Sequence, residues 1–208
     1  FTFDAETGNT EYTEFDLAGA VGYRGERHWI RLYPTYNLRR SGGDIIEDAQ
    51  SAHLRHSYFF NRGTRSFAFV QIQADESLEV QRRFLVGGGL RRSLMVTESG
   101  GGIDLGVGVM YENEHIETGE KESVVRGTNL LVINGSAGPV ALTLNGFFQP
   151  VLDHWRDHRI SAAGSAAVPL GTRWDLEVTL AWRRDSRPPV KVERNDAGIP
   201  VGLRFSVD

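Results

Sequence analysis

Apolar and polar side chains alternate along most of this chain, most regularly between Arg173 and Arg183. This period of two predicts a β-strand with one apolar and one polar face. Trp174 and Trp182 stand at the ends of the apolar row, and indole rings favour the boundary between lipid and water. At a rise of about 3.3 Å per residue and a tilt of about 40°, the two rings lie roughly 20 Å apart along a membrane normal. The segment therefore predicts a strand that crosses a bilayer.

The same alternation recurs along the rest of the chain. Clear segments cover residues 10–24, 28–39, 50–60, 103–115, 140–152 and 198–207, and weaker ones cover 64–75, 82–95, 122–134 and 157–169. Residues 1–5 are interpreted as the end of a first strand whose start is missing. Most segments are longer than the strands of soluble proteins, which have about 5–6 residues. We therefore expect one domain over residues 1–208, an all-β, closed antiparallel transmembrane β-barrel of about 12 strands. A water-soluble barrel or sandwich, with its apolar face inward, is the alternative.

The predicted connections alternate in length. Short ones are expected at residues 25–26, 61–63, 98–102, 135–139 and 171–172, and longer ones at 41–48, 75–82, 115–122, 153–157 and 185–195. Outer-membrane barrels have short periplasmic turns and longer outer loops. The pattern therefore predicts this orientation.

Composition narrows the class of protein further. The 208 residues carry a net charge of −4, which gives no electrostatic reason to expect nucleic acid as a partner. Without cysteine, the chain has no thiol catalysis, disulfide or thiolate metal site. The chain begins at Phe1 with no leader-like segment, so a signal peptide is expected to have been removed. We expect a protein of the Gram-negative bacterial outer membrane whose main partners are the lipid bilayer and the outer-membrane lipids.

Several sequence landmarks resemble a known family. They are Gly8-Asn9, the block 75–83 running into Gly87-Gly88-Gly89-Leu90, the stretch 106–112 with sequence GVGVMYE, DSRPP at 185–189, and Asn195-Asp196. With these the chain resembles, over nearly its whole length, the YdiY-like family of salt-induced outer-membrane proteins, a domain of unknown function. The resemblance implies an outer-membrane β-barrel and supplies no catalytic residue and no cofactor. The chain departs from the barrels' usual terminal aromatic residue, because it ends in Asp208 with Phe205 three positions earlier.

Two clusters invite a chemical interpretation. Asp153, His154, Asp157 and His158 lie within six residues, but an extended loop does not bring alternate side chains together, so a solvated outer loop is favoured over a metal site. The glycine run 87–89 is followed by neither a helix nor a lysine, which argues against a phosphate cradle and for close backbone approach in a barrel wall. No Gly-x-Ser-x-Gly motif is present, and a lumenal hydrolase is the weakest hypothesis.

The polar faces carry charges of both signs, which are expected to point into the barrel. The predicted lumen-facing charges are Arg31, Arg55, Glu112, Glu114, Arg126, Asp175, Glu177, Arg183 and Arg204, with Glu14, Asp16, Asp75, Arg65, Arg83 and Arg91 as further members. Mixed signs favour pairing across the lumen. The main hypothesis is therefore a non-enzymatic structural barrel or a subunit of an envelope assembly, and the alternative is a narrow, porin-like solute or ion channel. Four acids are expected in one half, where they would form a selective constriction: Glu112, Glu114, Asp175 and Glu177.

The outer faces suggest two kinds of contact. An aromatic girdle at the membrane boundaries is predicted from Tyr23, Tyr36, Tyr58, Tyr111, Trp174 and Trp182. The small residues Ala162, Gly164 and Ala166 would allow close packing against another envelope protein, although a thin lipid-facing wall explains them equally well.

Overall fold

A computed structural model of the protein describes residues 2–6, 12–42, 44–76, 80–97, 101–116, 119, 121–188, 192–199 and 201–205. Throughout these ranges the regular structure is β-strand, apart from isolated turns. No helix within them is long and apolar enough to span a membrane.

The strands form one antiparallel sheet. They are β1 Thr2–Glu6, β2 Tyr12–Ala18, β3 Val21–Arg24, β4 His28–Ser41, β5 Asp44–Phe59, β6 Thr64–Asp75, β7 Val80–Val96, β8 Gly102–Ile116, β9 Lys121–Ala137, β10 Val140–Pro150, β11 His158–Pro169, β12 Trp174–Asp185, β13 Asn195–Gly198 and β14 Val201–Phe205. From β4 to β12, each strand pairs with the next one along the chain.

The sheet has fourteen strands rather than about twelve, because two positions in it are each shared by two short strands. The predicted segment 10–24 is interrupted at Gly19-Ala20, and its two parts, β2 and β3, both pair with β4. At the other edge, β13 and β14 both pair with β12. The fourteen strands thus occupy twelve positions, and β1 and β13 end the path of pairings in the described part of the chain.

The apolar side chains of the alternating pattern lie on the exposed, convex face of the sheet. In β8, Val107 is 61% exposed and Val109 is 54% exposed, whereas Met110 and Glu112 on the opposite face are only 2% and 1% exposed. That opposite face is concave, because one cavity on it is lined by residues of eight consecutive strands, β4 to β11. The two faces are therefore arranged as predicted for a membrane barrel and opposite to those of a water-soluble one.

Glycines allow β7 and β8 to approach closely. Gly89 pairs with Gly108, and a Cβ atom at Gly87 would lie 2.6 Å from the Cβ of Met110 and 2.9 Å from the ring of Phe69. A Cβ atom at Gly89 would likewise lie 2.9 Å from the ring of Phe67. These glycines therefore make room for aromatic rings on the concave face, and the interpretation of the run 87–89 as a site of close approach is confirmed.

The predicted difference in loop length is wrong at three connections. The strands run through half or more of the residues of each loop that was predicted to be long: β4 ends at Ser41 and β5 begins at Asp44, β6 ends at Asp75 and β7 begins at Val80, and β8 ends at Ile116 and β9 begins at Lys121. Backbone pairing continues there because a strand ladder accepts polar side chains; Arg39 pairs with Glu47, for example. Longer connections are found at 151–157 and 186–194.

These connections distinguish the two ends of the sheet. We call the end that carries the connections 60–63, 138–139 and 170–173 the turn end. The opposite end, with the connections 151–157 and 186–194, is called the loop end.

Candidate functional site

Charged side chains on the concave face form two separate groups. The first, at the loop end, is called the ionic network and consists of Arg83, Glu112, Glu114, Arg126, Asp157, Arg159 and Asp185. The second, at the turn end, is called the arginine cluster and consists of Arg31, Arg55, Arg65 and Arg91. The two groups differ in how completely their charges are compensated.

Glu112 is the centre of the ionic network. Its carboxylate accepts hydrogen bonds from Arg126 Nε at 2.6 Å and from Arg159 Nη1, and Arg83 Nε lies 3.1 Å from it. The side chains of both Glu112 and Arg126 are 2% exposed. A carboxylate this deeply buried is stable in its charged form only with such partners, so Glu112 depends on the three arginines.

Arg159 connects distant strands across the concave face. It extends from β11 to Glu112 and Glu114 on β8, although β9 and β10 lie between them in the sheet. Its Nε also donates to Asp185 on β12 at 2.7 Å. The guanidinium therefore occupies the space between opposite parts of the curved sheet.

The connection 151–157 is held against the same network. Arg126 Nη1 donates to Asp157 at 2.9 Å, and the backbone of Val151 pairs with Arg126. Asp157 is buried, while Asp153 and His154 on the same connection are exposed. The connection is therefore attached to the loop end of the concave face through Asp157 and Val151.

The arginine cluster is arranged in directly opposed pairs. Arg31 on β4 is the cross-strand partner of Arg55 on β5, and Arg65 on β6 is the partner of Arg91 on β7. Asp104 accepts hydrogen bonds from Arg65 at 2.8 Å and from Arg91 at 2.5 Å. In the described part of the chain, neither Arg31 nor Arg55 forms an ion pair with a carboxylate, so the cluster keeps an excess of positive charge.

A cavity of about 250 Å³ adjoins the cluster. Its lining includes the four arginines and His53, together with a set of apolar side chains, namely Phe67, Phe69, Leu85, Met110, Leu130 and Phe147. Nε of Arg31, Nε of Arg55 and Nε2 of His53 are buried without a hydrogen-bond partner. The cavity is thus lined both by the unpaired Nε–H groups of Arg31 and Arg55 and by apolar side chains.

One prediction about the charges is wrong, because the four acids do not share one half of the sheet. Glu112 and Glu114 lie late in β8, at the loop end, whereas Asp175 and Glu177 lie early in β12, at the turn end. Since β8 and β12 run in the same direction, early and late positions fall at opposite ends. A single acidic constriction is therefore excluded for this set.

The remaining predicted charges have different surroundings. Arg183 pairs with Asp196 at 2.6 Å, and both side chains are more than half exposed. The side chain of Arg204, like that of Glu14, lies outside what the structure describes. Asp104, Arg159 and Asp185 were not among the predicted lumen-facing charges, because the alternation shows which face a residue lies on and not which strands meet across that face. The solvated outer loop predicted for Asp157 is wrong for that residue, which is buried against Arg126. Arg159 and Ser161 are two residues apart on β11, so their side chains lie on the same face of the sheet. This spacing was the signal from which the inward position of Arg159 could have been predicted.

The predicted girdle residues are on the convex face, in two rows. Tyr23, Tyr58 and Trp174 lie towards the turn end, and Tyr36, Tyr111 and Trp182 lie towards the loop end. Tyr23 is 68% exposed and Trp174 is 48% exposed. Two rows of amphipathic rings are the arrangement that the two boundaries of a bilayer favour.

Metal binding has no support in the described residues, where no group of three or more histidine and carboxylate side chains could hold an ion. In the candidate cluster at 153–158, Asp157 is occupied by Arg126. Asp153 and His154 are 3.5 Å apart on an exposed connection.

Solved structures resemble this chain in fold, and the sequence model of one family matches it. The NanC porin, in a rhombohedral crystal form, is 8% identical, with 95% of this chain and 94% of that chain covered and a TM-score of 0.58. The translocator domain of the autotransporter NalP from Neisseria meningitidis is 12% identical, with 98% and 84% covered and a TM-score of 0.53. At these identities the likeness concerns the fold alone, and both of these neighbours are β-barrel membrane proteins. The sequence model of a family described as "Protein of unknown function, DUF481" matches residues 1–207, and no curated protein matches the chain.

Proposed function

The chain belongs to the DUF481 family, and we propose that it is a non-enzymatic integral protein of the bacterial outer membrane, of the YdiY-like kind, whose sheet closes into a barrel. The observation that carries this proposal is the reversed distribution of its side chains. Large apolar residues are exposed on the convex face, as Val21 is at 71%, while buried charges pair on the concave face. A lipid environment covers the first group, and a barrel interior holds the second.

Closure of the sheet follows from the physics of the same environment. An open edge within a bilayer would leave backbone N–H and C=O groups without partners, at several kcal/mol each, and closed barrels avoid this. Twelve positions, an even number, make β1 antiparallel to β13 and β14, so the two edges can pair like all the other neighbours in the sheet.

Cysteine cross-linking tests closure cleanly, because the natural chain has no cysteine. We expect Phe3→Cys to form a disulfide with at least one of a series of single cysteines placed along β13 and β14, at residues 195–198 and 201–205, when the protein is folded in vesicles. The reason is that paired strands hold Cα atoms within the range that a disulfide spans. The measurement is the mobility of the oxidised and reduced protein on denaturing gels.

Two further double-cysteine variants serve as the positive and the negative control for the cross-linking. Phe3→Cys with Phe15→Cys should link, because these residues are direct partners in β1 and β2. Phe3→Cys with Leu144→Cys should not link, because β10 is far from β1 in the sheet order. If the first of these pairs links and no pair between β1 and either β13 or β14 does, the closed barrel is wrong.

Within the barrel, the ionic network favours a structural role, or a role as a subunit of an envelope assembly, over that of a general diffusion pore. Arg159 and the connection 151–157 fill space at the loop end, and their ion pairs tie β7, β8, β9, β11 and β12 together. Charges that neutralise each other across a narrow interior close it to solutes. The outer-membrane lipids and other envelope proteins are the proposed partners.

A second candidate, a narrow solute channel, is favoured by the arginine cluster at the turn end. Its excess positive charge would select anions if the interior conducts. No observation favours a lumenal hydrolase, and we do not propose one.

Planar-bilayer recordings separate the structural role from the channel. We expect the natural protein to show little or no stepwise conductance and the Arg159→Ser variant to show clearly larger steps, because the substitution removes the side chain that crosses the interior. Arg173→Ser is the control, since Arg173 is exposed in the connection between β11 and β12. Anion-selective steps from the natural protein that decrease with Arg55→Gln would favour the channel instead.

A further inference from the structure

The arginine cluster places charges of the same sign directly opposite each other on the concave face. Like charges directly opposite each other on neighbouring strands destabilise a sheet, yet this face holds two such pairs, Arg31 with Arg55 and Arg65 with Arg91. Arg55 also lies close enough to Arg65 and Arg91 for their charges to repel. Binding sites are typical places where a fold keeps charges of the same sign close together without an opposite charge of its own to neutralise them.

The ionic network shows that this chain does compensate buried arginines elsewhere. Its Arg83, Arg126 and Arg159 each contact two or more carboxylates. Within the described residues, Asp104 is the carboxylate that pairs with the arginine cluster, and both of its arginine partners bind the same oxygen, Oδ2. The excess of positive charge is therefore local to the turn end.

The unused donors of the cluster point to the chemistry of a ligand. A guanidinium carries five N–H donors in a planar fork that matches an oxyanion. Nε of Arg31 and Nε of Arg55 are buried beside the cavity without a partner, although a buried donor left unpaired costs about 1–3 kcal/mol.

Aromatic rings hold two of the arginines in place. The guanidinium carbon of Arg31 lies 3.7 Å from the centre of the Trp29 ring, and that of Arg55 lies 6.0 Å from the centre of the Phe67 ring. Stacking on a ring orients a guanidinium while leaving its N–H groups free in the plane. Aromatic rings therefore hold Arg31 and Arg55, while Asp104 holds Arg65 and Arg91.

We propose that this cavity binds a small organic anion, whose carboxylate or phosphate group contacts Arg31 and Arg55 and whose apolar part lies against Phe67 and Phe69. The cavity volume of about 250 Å³ accommodates a molecule with one aromatic or aliphatic ring. The ligand supplies the negative charge that the cluster lacks. Binding requires neither conduction nor closure, because the contacts that form the cavity run from β4 to β11.

Calorimetric titration of the folded protein in neutral detergent tests the site, with phenyl phosphate and benzoate as probes. We expect saturable binding of at least one probe, weaker binding of inorganic phosphate, and no binding of benzyl alcohol, which has the ring without the charge. Arg55→Gln should weaken binding by about tenfold or more, because a charge-assisted hydrogen bond contributes about 1.5–3 kcal/mol. Arg31→Gln should act in the same direction.

Arg92→Gln is the matched control, because Arg92 lies next to Arg91 on β7 but is exposed on the convex face. It should leave the affinity unchanged. Circular dichroism verifies that each variant is folded, and Arg55→Gln is expected to keep its fold because it removes a repulsion. The proposal is overturned if the natural protein shows no saturable heat with either probe at millimolar concentration, or if Arg92→Gln weakens binding as much as Arg55→Gln and Arg31→Gln do. Either result leaves the cross-linking test of the barrel unaffected.

Discussion

Replacing Arg126 by glutamine is expected to lower the free energy of unfolding by about 3–5 kcal/mol, the range found when one partner of a buried ion pair is removed. The side chain of Arg126 is 2% exposed and binds Glu112 at 2.6 Å and Asp157 at 2.9 Å. Without it, two arginines of the ionic network face four buried or half-buried carboxylates. The measurement is urea-induced unfolding in lipid vesicles, monitored by tryptophan fluorescence.

Arg156→Gln provides the control for this measurement. Arg156 lies beside Asp157 but is exposed, so the same chemical change should alter the stability by less than about 0.5 kcal/mol. In the double variant Arg126→Gln with Glu112→Gln, the loss should be smaller than the sum of the two single losses, because both substitutions break the same contact. Strictly additive losses would show that the pair is not coupled, and the network would then have no part in holding the strands together.

Gly89→Val is the second substitution with a large expected effect. A Cβ atom at Gly89 would meet the backbone oxygen of Val107, and it would lie 2.6 Å from the Cα of Gly108 and 2.9 Å from the Phe67 ring. Backbone atoms cannot move aside without breaking the pairing of β7 with β8, so we expect a loss of at least about 1–3 kcal/mol, as for overpacked interiors. The yield of folded protein on refolding into vesicles and its unfolding in urea measure this loss.

Gly146→Val separates steric conflict from the general effect of losing a glycine. No atom lies within 4 Å of a Cβ placed at Gly146, which is also within a strand. A β-branched residue favours strands, so this variant should fold as well as the natural protein or slightly better. Equal losses for the two variants would contradict the role of close approach at Gly89.

Several features could be predicted from the sequence because they depend on neighbours along one strand. The exposure of Val107 and Val109 and the burial of Glu112 follow directly from the period of two. The interruption of the segment 10–24 at Gly19-Ala20 was not predicted, since the alternation there hardly changes. The loop at 41–48 was wrong because polar residues such as Arg39 and Glu47 pair as strand residues.

Fewer features of the candidate site than of the fold could be predicted from the sequence. Arg31 and Arg55 were predicted to point inward, but not to stand directly opposite each other, because register depends on where the turn between β4 and β5 falls. Arg159 was not identified at all as a partner of Glu112, which is 47 residues earlier in the chain. Contacts that cross a concave face depend on the curvature of the whole sheet.

The sequence by itself determined the fold class and the two faces of the wall, since alternation, aromatic positions and the glycine run are local properties of the chain. The tertiary structure alone decided which charges meet. It placed Glu112 and Glu114 at one end of the sheet and Asp175 at the other. At the loop end the arginines pair with carboxylates, whereas at the turn end Arg31 and Arg55 have no carboxylate partner among the residues that the structure describes. The physical reason is that an ion pair depends on distances of a few ångströms, which strand register and sheet curvature set and which no periodicity contains.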